Sequence, residues 1–159
     1  MARQQQDGIS VVATNRAARH NFFIEDSFEA GMVLRGSEVK SLRESKVQLA
    51  EAFAHLDGGE MWLHNLHIAP YSHSQAHSGH DTLRKRKLLL HRREIDRIAA
   101  RLQQERLSLV PMRLYFKDGK AKVELAVAKG KVSYDKRQSL KKAEAKRDIE
   151  RAMTKKRRM

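Results

Sequence analysis

The sequence contains no cysteine in 159 residues. A disulfide framework, a thiolate nucleophile and a sulfur-ligated zinc site are thereby excluded, and a reducing compartment is expected. Long apolar runs are missing as well. The longest stretches, Leu88 to Leu90 and Leu107 to Met112, fall far short of the roughly 20 residues that cross a bilayer, so no membrane contact is expected. No apolar segment follows Arg3, which argues against a secretory signal and for a cytoplasmic protein. Proline occurs twice and glycine eight times, and with 40% apolar residues this composition supports one packed domain with tails. There is no Gly-x-x-x-x-Gly-Lys-Ser/Thr loop, Gly-x-Ser-x-Gly elbow or His-Glu-x-x-His helix, so no common catalytic motif points to an enzyme.

Positive charge is what the chain has in excess. Its 33 Lys and Arg residues face 19 Asp and Glu, a formal net charge of +14, which suits a polyanionic partner. The excess is uneven: residues 1–130 hold 21 basic and 15 acidic side chains, whereas residues 131–159 hold 12 and 4 and so carry +8. With little beyond Val132, Leu140, Ile149 and Met153 to bury, this tail is expected to be disordered when free. From Lys141 onward it consists of helix formers without Gly or Pro, so a partner surface would order it as a helix. Phosphate binding is favoured over a merely solubilising role. The expected organisation is a flexible N-terminus over 1–14, a body over 15–130 and a basic tail over 131–159.

Within the body, Gly31 to Arg43 mixes β-branched residues with glycine and reads as a strand bent near Gly36. Val47 to Leu56 and Met61 to Ile68 flank Asp57-Gly58-Gly59-Glu60 as a hairpin, with Trp62, Leu66 and Ile68 expected on one buried face. Leu88 to Leu90 reads as a further strand. Ile95, Ile98, Ala99 and Leu102 recur at helical spacing and predict an amphipathic helix over Arg92 to Arg106. Leu109 to Phe116 and Ala121 to Ala128, joined by Lys117-Asp118-Gly119-Lys120, give the strongest hairpin signal, with Val123, Leu125 and Val127 alternating inward. Five or six strands with one substantial helix between the fourth and fifth make the fold class mainly β, an OB-like antiparallel barrel with a few flanking helices.

Few side chains suggest chemistry beyond binding. His73, His77 and His80 have a spacing compatible with a metal, but the loop that carries them has no helix to fix their geometry and reads as polar surface. Glu25, Asp26 and Glu29 resemble a divalent-metal nuclease cluster, although capping of a helical turn explains them more simply. Basic residues interleaved with aromatics and amides remain: Asn15, Arg16, Arg19, His20, Phe22 and Phe23 at one end, Tyr134 to Arg137 at the other. Rings stack on unpaired bases and Arg pairs with phosphate, so this composition suits RNA, with core packing as the plainer reading for at least one phenylalanine.

The segments Asn15-Arg-Ala-Ala-Arg-His20, Phe28-Glu-Ala-Gly31, Gly36-Ser-Glu-Val-Lys-Ser-Leu-Arg43, Arg86-Lys-Leu-Leu-Leu-His91, Ala128-Lys-Gly-Lys131 and Tyr134-Asp-Lys-Arg137 occur in this order. Together they make the chain, from about Asn15 to Met153, resemble the small protein B family, the SsrA (tmRNA) binding proteins of bacterial trans-translation. The resemblance implies a monomeric, non-enzymatic RNA chaperone without metal or cofactor. Such a protein grips the tRNA-like domain of tmRNA, enters stalled 70S ribosomes with it and meets elongation factor Tu with GTP indirectly. It implies tmRNA contacts at Asn15, Phe22, Glu29, His91 and Lys122, with Gly130 as a hinge. It also implies a tail in the decoding centre and mRNA channel, reached through Lys131, Tyr134, Asp135, Lys136 and Arg137, with Ile149 and Met153 as secondary contacts. The chain departs from the family at Val132, where a second Lys is usual, and at Thr82 and Lys85, where prolines are common. A generic OB-type ribosome-associated factor and a metal-dependent ribonuclease are the alternatives.

Overall fold

The structure, a computed structural model, describes residues 8–72 and 80–158. In chain order the elements are β1 (Ile9–Thr14), α1 (Arg16–Asn21), β2 (Phe22–Met32), α2 (Gly36–Arg43), β3 (Val47–Gln48), β4 (Phe53–Asp57) and β5 (Glu60–His64). There follow β6 (His67–Ile68), β7 (Arg86–Leu89), α3 (Arg92–Gln104), β8 (Ser108–Lys117), β9 (Lys120–Gly130) and α4 (Ser133–Arg158). All strand pairs are antiparallel. The large sheet runs β1-β8-β4-β5-β7-β2-β9, and β9 pairs again with β8. That last pairing closes β8, β4, β5, β7, β2 and β9 into a six-stranded barrel, with β1 laid along β8 and α3 joining the fourth barrel strand to the fifth. The mainly β expectation therefore holds. Among the described residues no helix is long and apolar enough to cross a membrane.

Local chemistry makes these elements. The β8–β9 turn places Asp118 and Gly119 at φ 50 and 80, the pair of left-handed residues that a tight hairpin requires. Along β9, Val123, Leu125 and Val127 are fully buried and join Leu63, Leu88 and Leu114 inside the barrel. On α3, Ile95 and Ile98 are buried while the arginines face outward. A smaller apolar cluster outside the barrel, Ala18 with Val110, Met112, Ala126 and Ala128, seats α1 against β8 and β9.

Three expectations need correction. Gly36–Arg43 is helix α2, not a continuation of the strand. Its Glu38 accepts the Arg35 N–H at 2.9 Å, which caps the first turn, and tertiary contacts override the β-branched content. Trp62 does not share a face with Leu66 and Ile68. Met61 and Leu63 point inward, Asn65 adopts φ 58, and that left-handed residue reverses the alternation before Leu66 and Ile68, both fully buried. Ile9–Thr14, expected to be flexible, pairs with β8 through Ile9 opposite Lys117 and Thr14 opposite Arg113. The tail, expected to become a helix once ordered, is helix α4, whose described side chains beyond Leu140 are exposed apart from Ala143.

Glu38 and Arg86, both wholly buried, form the central ion pair, with Nε donating to Oε2 at 2.6 Å. Arg86 also donates to the carbonyls of Leu66, Asp81 and Thr82, and Arg84 donates to the second oxygen of Glu38. Burial pushes the Glu38 carboxyl up, but Arg84, the Arg35 N–H and Arg86 together hold it below its ordinary 4.5. A lowered carboxyl contributes stability that is present above the unfolded value and is lost as pH falls through the folded one. Arg86→Ala is therefore expected to cost about 3–5 kcal/mol in urea unfolding at neutral pH. In Glu38→Gln, the loss of stability with acid below about pH 4 should be shallower than in the parent. The two predictions fail if Arg86→Ala is neutral or if the acid limbs superimpose.

Candidate nucleic-acid interface

Strand alternation sets the outward residues of β2, β9 and β8 in rows. Glu29 lies opposite Glu124, which lies opposite Arg113; Gly31 lies opposite Lys122, which lies opposite Tyr115. In the first row Arg113 donates to Glu124 at 2.5 Å, neutralising that carboxylate. Glu29 instead turns toward the second row. It accepts a hydrogen bond from the Tyr115 hydroxyl, and the Lys117 ammonium stands 3.5 Å from both its oxygens. The Tyr115 bond first, then Lys117 and Lys122, hold the Glu29 carboxyl below its ordinary value against the opposing effect of desolvation. Burial and the same carboxylate push the Tyr115 hydroxyl well above its ordinary range. Glu29 is thus an oriented anion among cations, able to accept hydrogen bonds from base amino groups or ribose hydroxyls while the lysines take phosphate.

β7 extends this wall. Leu89 stands opposite Gly31, and a Cβ placed on Gly31 would come 3.3 Å from that of Leu89 and 3.7 Å from the Lys122 ammonium, so glycine lets both side chains cross β2. Leu89 is 52% exposed, an apolar residue on a polar wall that sequence periodicity did not single out. Two residues on, exposed His91 occupies the N-cap of α3, where its N–H donates to Glu94 at 3.1 Å. Arg92 donates to the Gly59 carbonyl at 3.0 Å and ties this helix start to the β4–β5 turn. Glu29, His91 and Lys122 therefore belong to one surface, with Leu89, Tyr115 and Lys117 added by the structure.

The other sequence candidates lie at the far end of the same strands. Phe22 pairs with Gly130, nine residues along β2 from Gly31, roughly 30 Å at the usual rise. Asn15 is not available to a ligand: it is buried, its Nδ2 donates to the Pro111 carbonyl at 3.0 Å and its Oδ1 accepts from Ala18 N at 3.2 Å, capping α1. Phe22 is half-buried against the α1 cluster, and the exposed ring of the pair is Phe23, at 46%. Lys131 stands 4.8 Å above that ring and donates to the Arg19 carbonyl and to Ser139, joining the end of α1 to the first turns of α4. Gly130 has no positive φ and open space around it, so the fold itself does not require glycine there. Along α4, Tyr134, Arg137, Ile149 and Met153 are exposed, Asp135 and Lys136 half-buried.

The described members of the candidate metal clusters already have partners within the protein. Glu25, Asp26 and Glu29 lie on strand β2 and cap no helix; Glu25 pairs with Arg101 and Asp26 with Arg97. His80 is buried, its Nε2 donating to the Ile68 carbonyl at 2.9 Å and its Nδ1 accepting from Ser37. His73 and His77 lie outside the described residues.

Three comparisons bear on this geometry. Residues 12–155 match the family described as SmpB protein. An SsrA-binding protein of Geobacillus thermodenitrificans is 53% identical over 142 residues, covering 89% of this chain and 91% of the relative. One from Mycobacterium leprae is 52% identical over 149 residues, covering 94% and 92%. A chain from the solved structure "tmRNA-SmpB: a journey to the center of the bacterial ribosome" matches with a TM-score of 0.64 at 46% identity, over 76% of this chain and 85% of that one. The Tyr115 hydroxyl is the contact on which Glu29 orientation rests. Tyr115→Phe is expected to raise the Glu29 pKa toward the ordinary carboxylate value, read from side-chain carboxyl chemical shifts across a pH titration. An unmoved titration would show that the lysines alone set it.

Proposed function

The chain belongs to the SmpB protein family, and from that premise we propose that it binds tmRNA and accompanies it into stalled ribosomes for trans-translation. The observation that carries the reading is the wall on which Glu29, Lys122 and His91 converge, with the carboxylate held ionised by Tyr115 and Lys117. In this reading the wall grips the tRNA-like domain, Lys122 neutralising phosphate and His91 and Glu29 offering polar contacts to bases or riboses. Asn15 acts through the position of α1, Phe22 supports the exposed Phe23, and Gly130 with Lys131 forms the joint between barrel and tail.

The tail is assigned the ribosomal task. Tyr134 stacks on a base of the decoding centre, Lys136 and Arg137 take phosphates, Asp135 completes the anchor, and Ile149 with Met153 makes a secondary contact along the mRNA channel. One helical turn separates Ile149 from Met153, which puts both on one face. The protein is read as a monomeric cytoplasmic RNA-binding protein rather than an enzyme, and elongation factor Tu with GTP meets it through tmRNA. The pairing of Glu25 with Arg101 and Asp26 with Arg97 supports the non-enzymatic reading, because each carboxylate already serves a cation.

Sequencing the RNA that copurifies with the protein from its native cell tests the partner: tmRNA should dominate, and a mixed RNA population would overturn the assignment. Lys122→Ala should weaken tmRNA binding and reduce the slope of log K against log salt by somewhat under one unit; an unchanged affinity and slope would remove Lys122 from the interface. Replacing Asp135, Lys136 and Arg137 together by Ala should leave tmRNA affinity nearly intact and abolish peptide tagging on stalled ribosomes. Normal tagging by that variant, or equal loss of tmRNA binding, would refute the division of labour between barrel and tail.

A further inference from the structure

The solvent face of the β4–β5 hairpin carries four aromatic rings that the function above does not use. Because Met61 and Leu63 are fully buried, Trp62 and His64 face outward, and the register sets Phe53 opposite His64 and His55 opposite Trp62. The Phe53 and His64 rings stack, with centroids 5.3 Å apart and planes 11° off parallel. His55 meets His64 edge-on at 6.2 Å. The Lys85 ammonium stands 4.6 Å from the centre of the Trp62 ring. Phe53 remains 45% exposed and walls a groove that reaches Leu102 on α3 and Leu107 just before β8. In the closed ring of strands, β4 and β5 lie across the barrel from β2 and β9, so this array is on the wall opposite Glu29 and Lys122.

We propose that this wall is a second RNA-binding site, a stacking platform for unpaired bases that is separate from the wall assigned to tmRNA. The water-facing side of an antiparallel sheet ordinarily carries polar side chains, and rings there leave π faces that any base can cover. Successive rows are two residues apart, about 7 Å, a step that suits the bases of an extended strand. Lys85 and the two imidazoles supply donors for phosphate between stacked bases. The outward residues of the hairpin itself, Phe53, His55, Asp57, Glu60, Trp62 and His64, include no aliphatic side chain, and the leucines lie only in the groove at its edge, so the platform is one of rings and favours bases over an apolar peptide as occupant. With RNA-binding walls on opposite sides, the barrel bridges two RNA segments.

Trp62 is the one tryptophan of the chain and reports on the platform directly. Titrating a short, unstructured oligouridine into the full-length protein is expected to quench Trp62 fluorescence saturably, and equally so after saturation with the tRNA-like domain of tmRNA. Phe53→Leu keeps an apolar side chain at this exposed position and should weaken oligouridine binding at least about fivefold. The same variant should leave tmRNA affinity and the thermal unfolding midpoint unchanged, while Lys122→Ala should leave the oligouridine affinity unchanged. No quenching, as expected if a protein is the true occupant, overturns the proposal; so does quenching abolished by the tRNA-like domain, or an affinity indifferent to Phe53→Leu. The oligouridine arm is read without tmRNA, so failure of the tmRNA assignment leaves its outcome standing.

Discussion

The buried pair of Glu38 and Arg86 is the constraint from which the rest of the barrel takes its shape. Arg86 stands at the start of β7 and Glu38 in the first turn of α2, so their bond fixes the helix to the strand across 48 residues of sequence. Removing two charges from water costs more than their attraction alone returns unless every remaining donor finds a partner. Here the donors find them: the guanidinium serves the carbonyls of Leu66, Asp81 and Thr82, groups in an irregular segment with few strand partners of their own. An apolar substitute would pack but would take the guanidinium from all three carbonyls, of which those of Thr82 and Asp81 also accept the N–H groups of Ile68 and Arg84. The pair thereby fixes where β7 begins, and with it the outward position of Leu89 and the start of α3 at His91.

A six-stranded barrel has a crowded interior and a circumference of outward side chains, and the sequence spends those outward positions very differently from wall to wall. On β2, β9 and β8 they include Glu29 held by Tyr115 and Lys117, and Glu124 held by Arg113, so that these charges keep defined places beside Lys122. On β4 and β5 they are rings stacked across the register. Beside them Lys131 closes a third arrangement, where a cation over Phe23 also bonds the end of α1. Because one residue of slip would exchange the inner and outer sets, the fully buried Val123, Leu125 and Val127 that fill the core also hold each wall in register.

What could be read from the sequence was what local chemistry decides. The β8–β9 hairpin declares itself through Asp118-Gly119, and α3 through the helical spacing of Ile95, Ile98 and Leu102, because turn conformation and amphipathic period are properties of a few neighbouring residues. Helix α2 reads as a strand in the sequence because Glu38 is held by Arg86 and Arg84, residues far away along the chain. A period of two carried through Asn65 places Trp62 in the core; asparagine tolerates the left-handed region but does not require it, so the reversal there is decided by the fold. At the interface, Glu29 and Lys122 came from resemblance, whereas the roles of Tyr115 and Leu89 depend on register between strands and have no sequence signature. Asn15 shows the reverse error: a residue type suited to RNA is consumed by the cap of α1.

The tail shows how far charge can stand in for packing. Helix α4 spans Ser133–Arg158, yet its described side chains beyond Leu140 are exposed apart from Ala143, so tertiary burial contributes little to it. A helix of this composition with no packed face depends on propensity alone and is marginal in water. Twelve basic residues against four acidic ones over residues 131–159 add self-repulsion along its length. At its root, the Lys131 N–H donates to the Asn21 carbonyl at 2.8 Å, and the Lys131 ammonium bonds Arg19 and Ser139. The first turns are therefore held to the barrel while the remainder lacks any intramolecular counterion in sufficient number. A groove of phosphates supplies that counterion, and the free energy of neutralising the tail is then the free energy that completes its helix; a neutral surface of the same shape offers no such coupling.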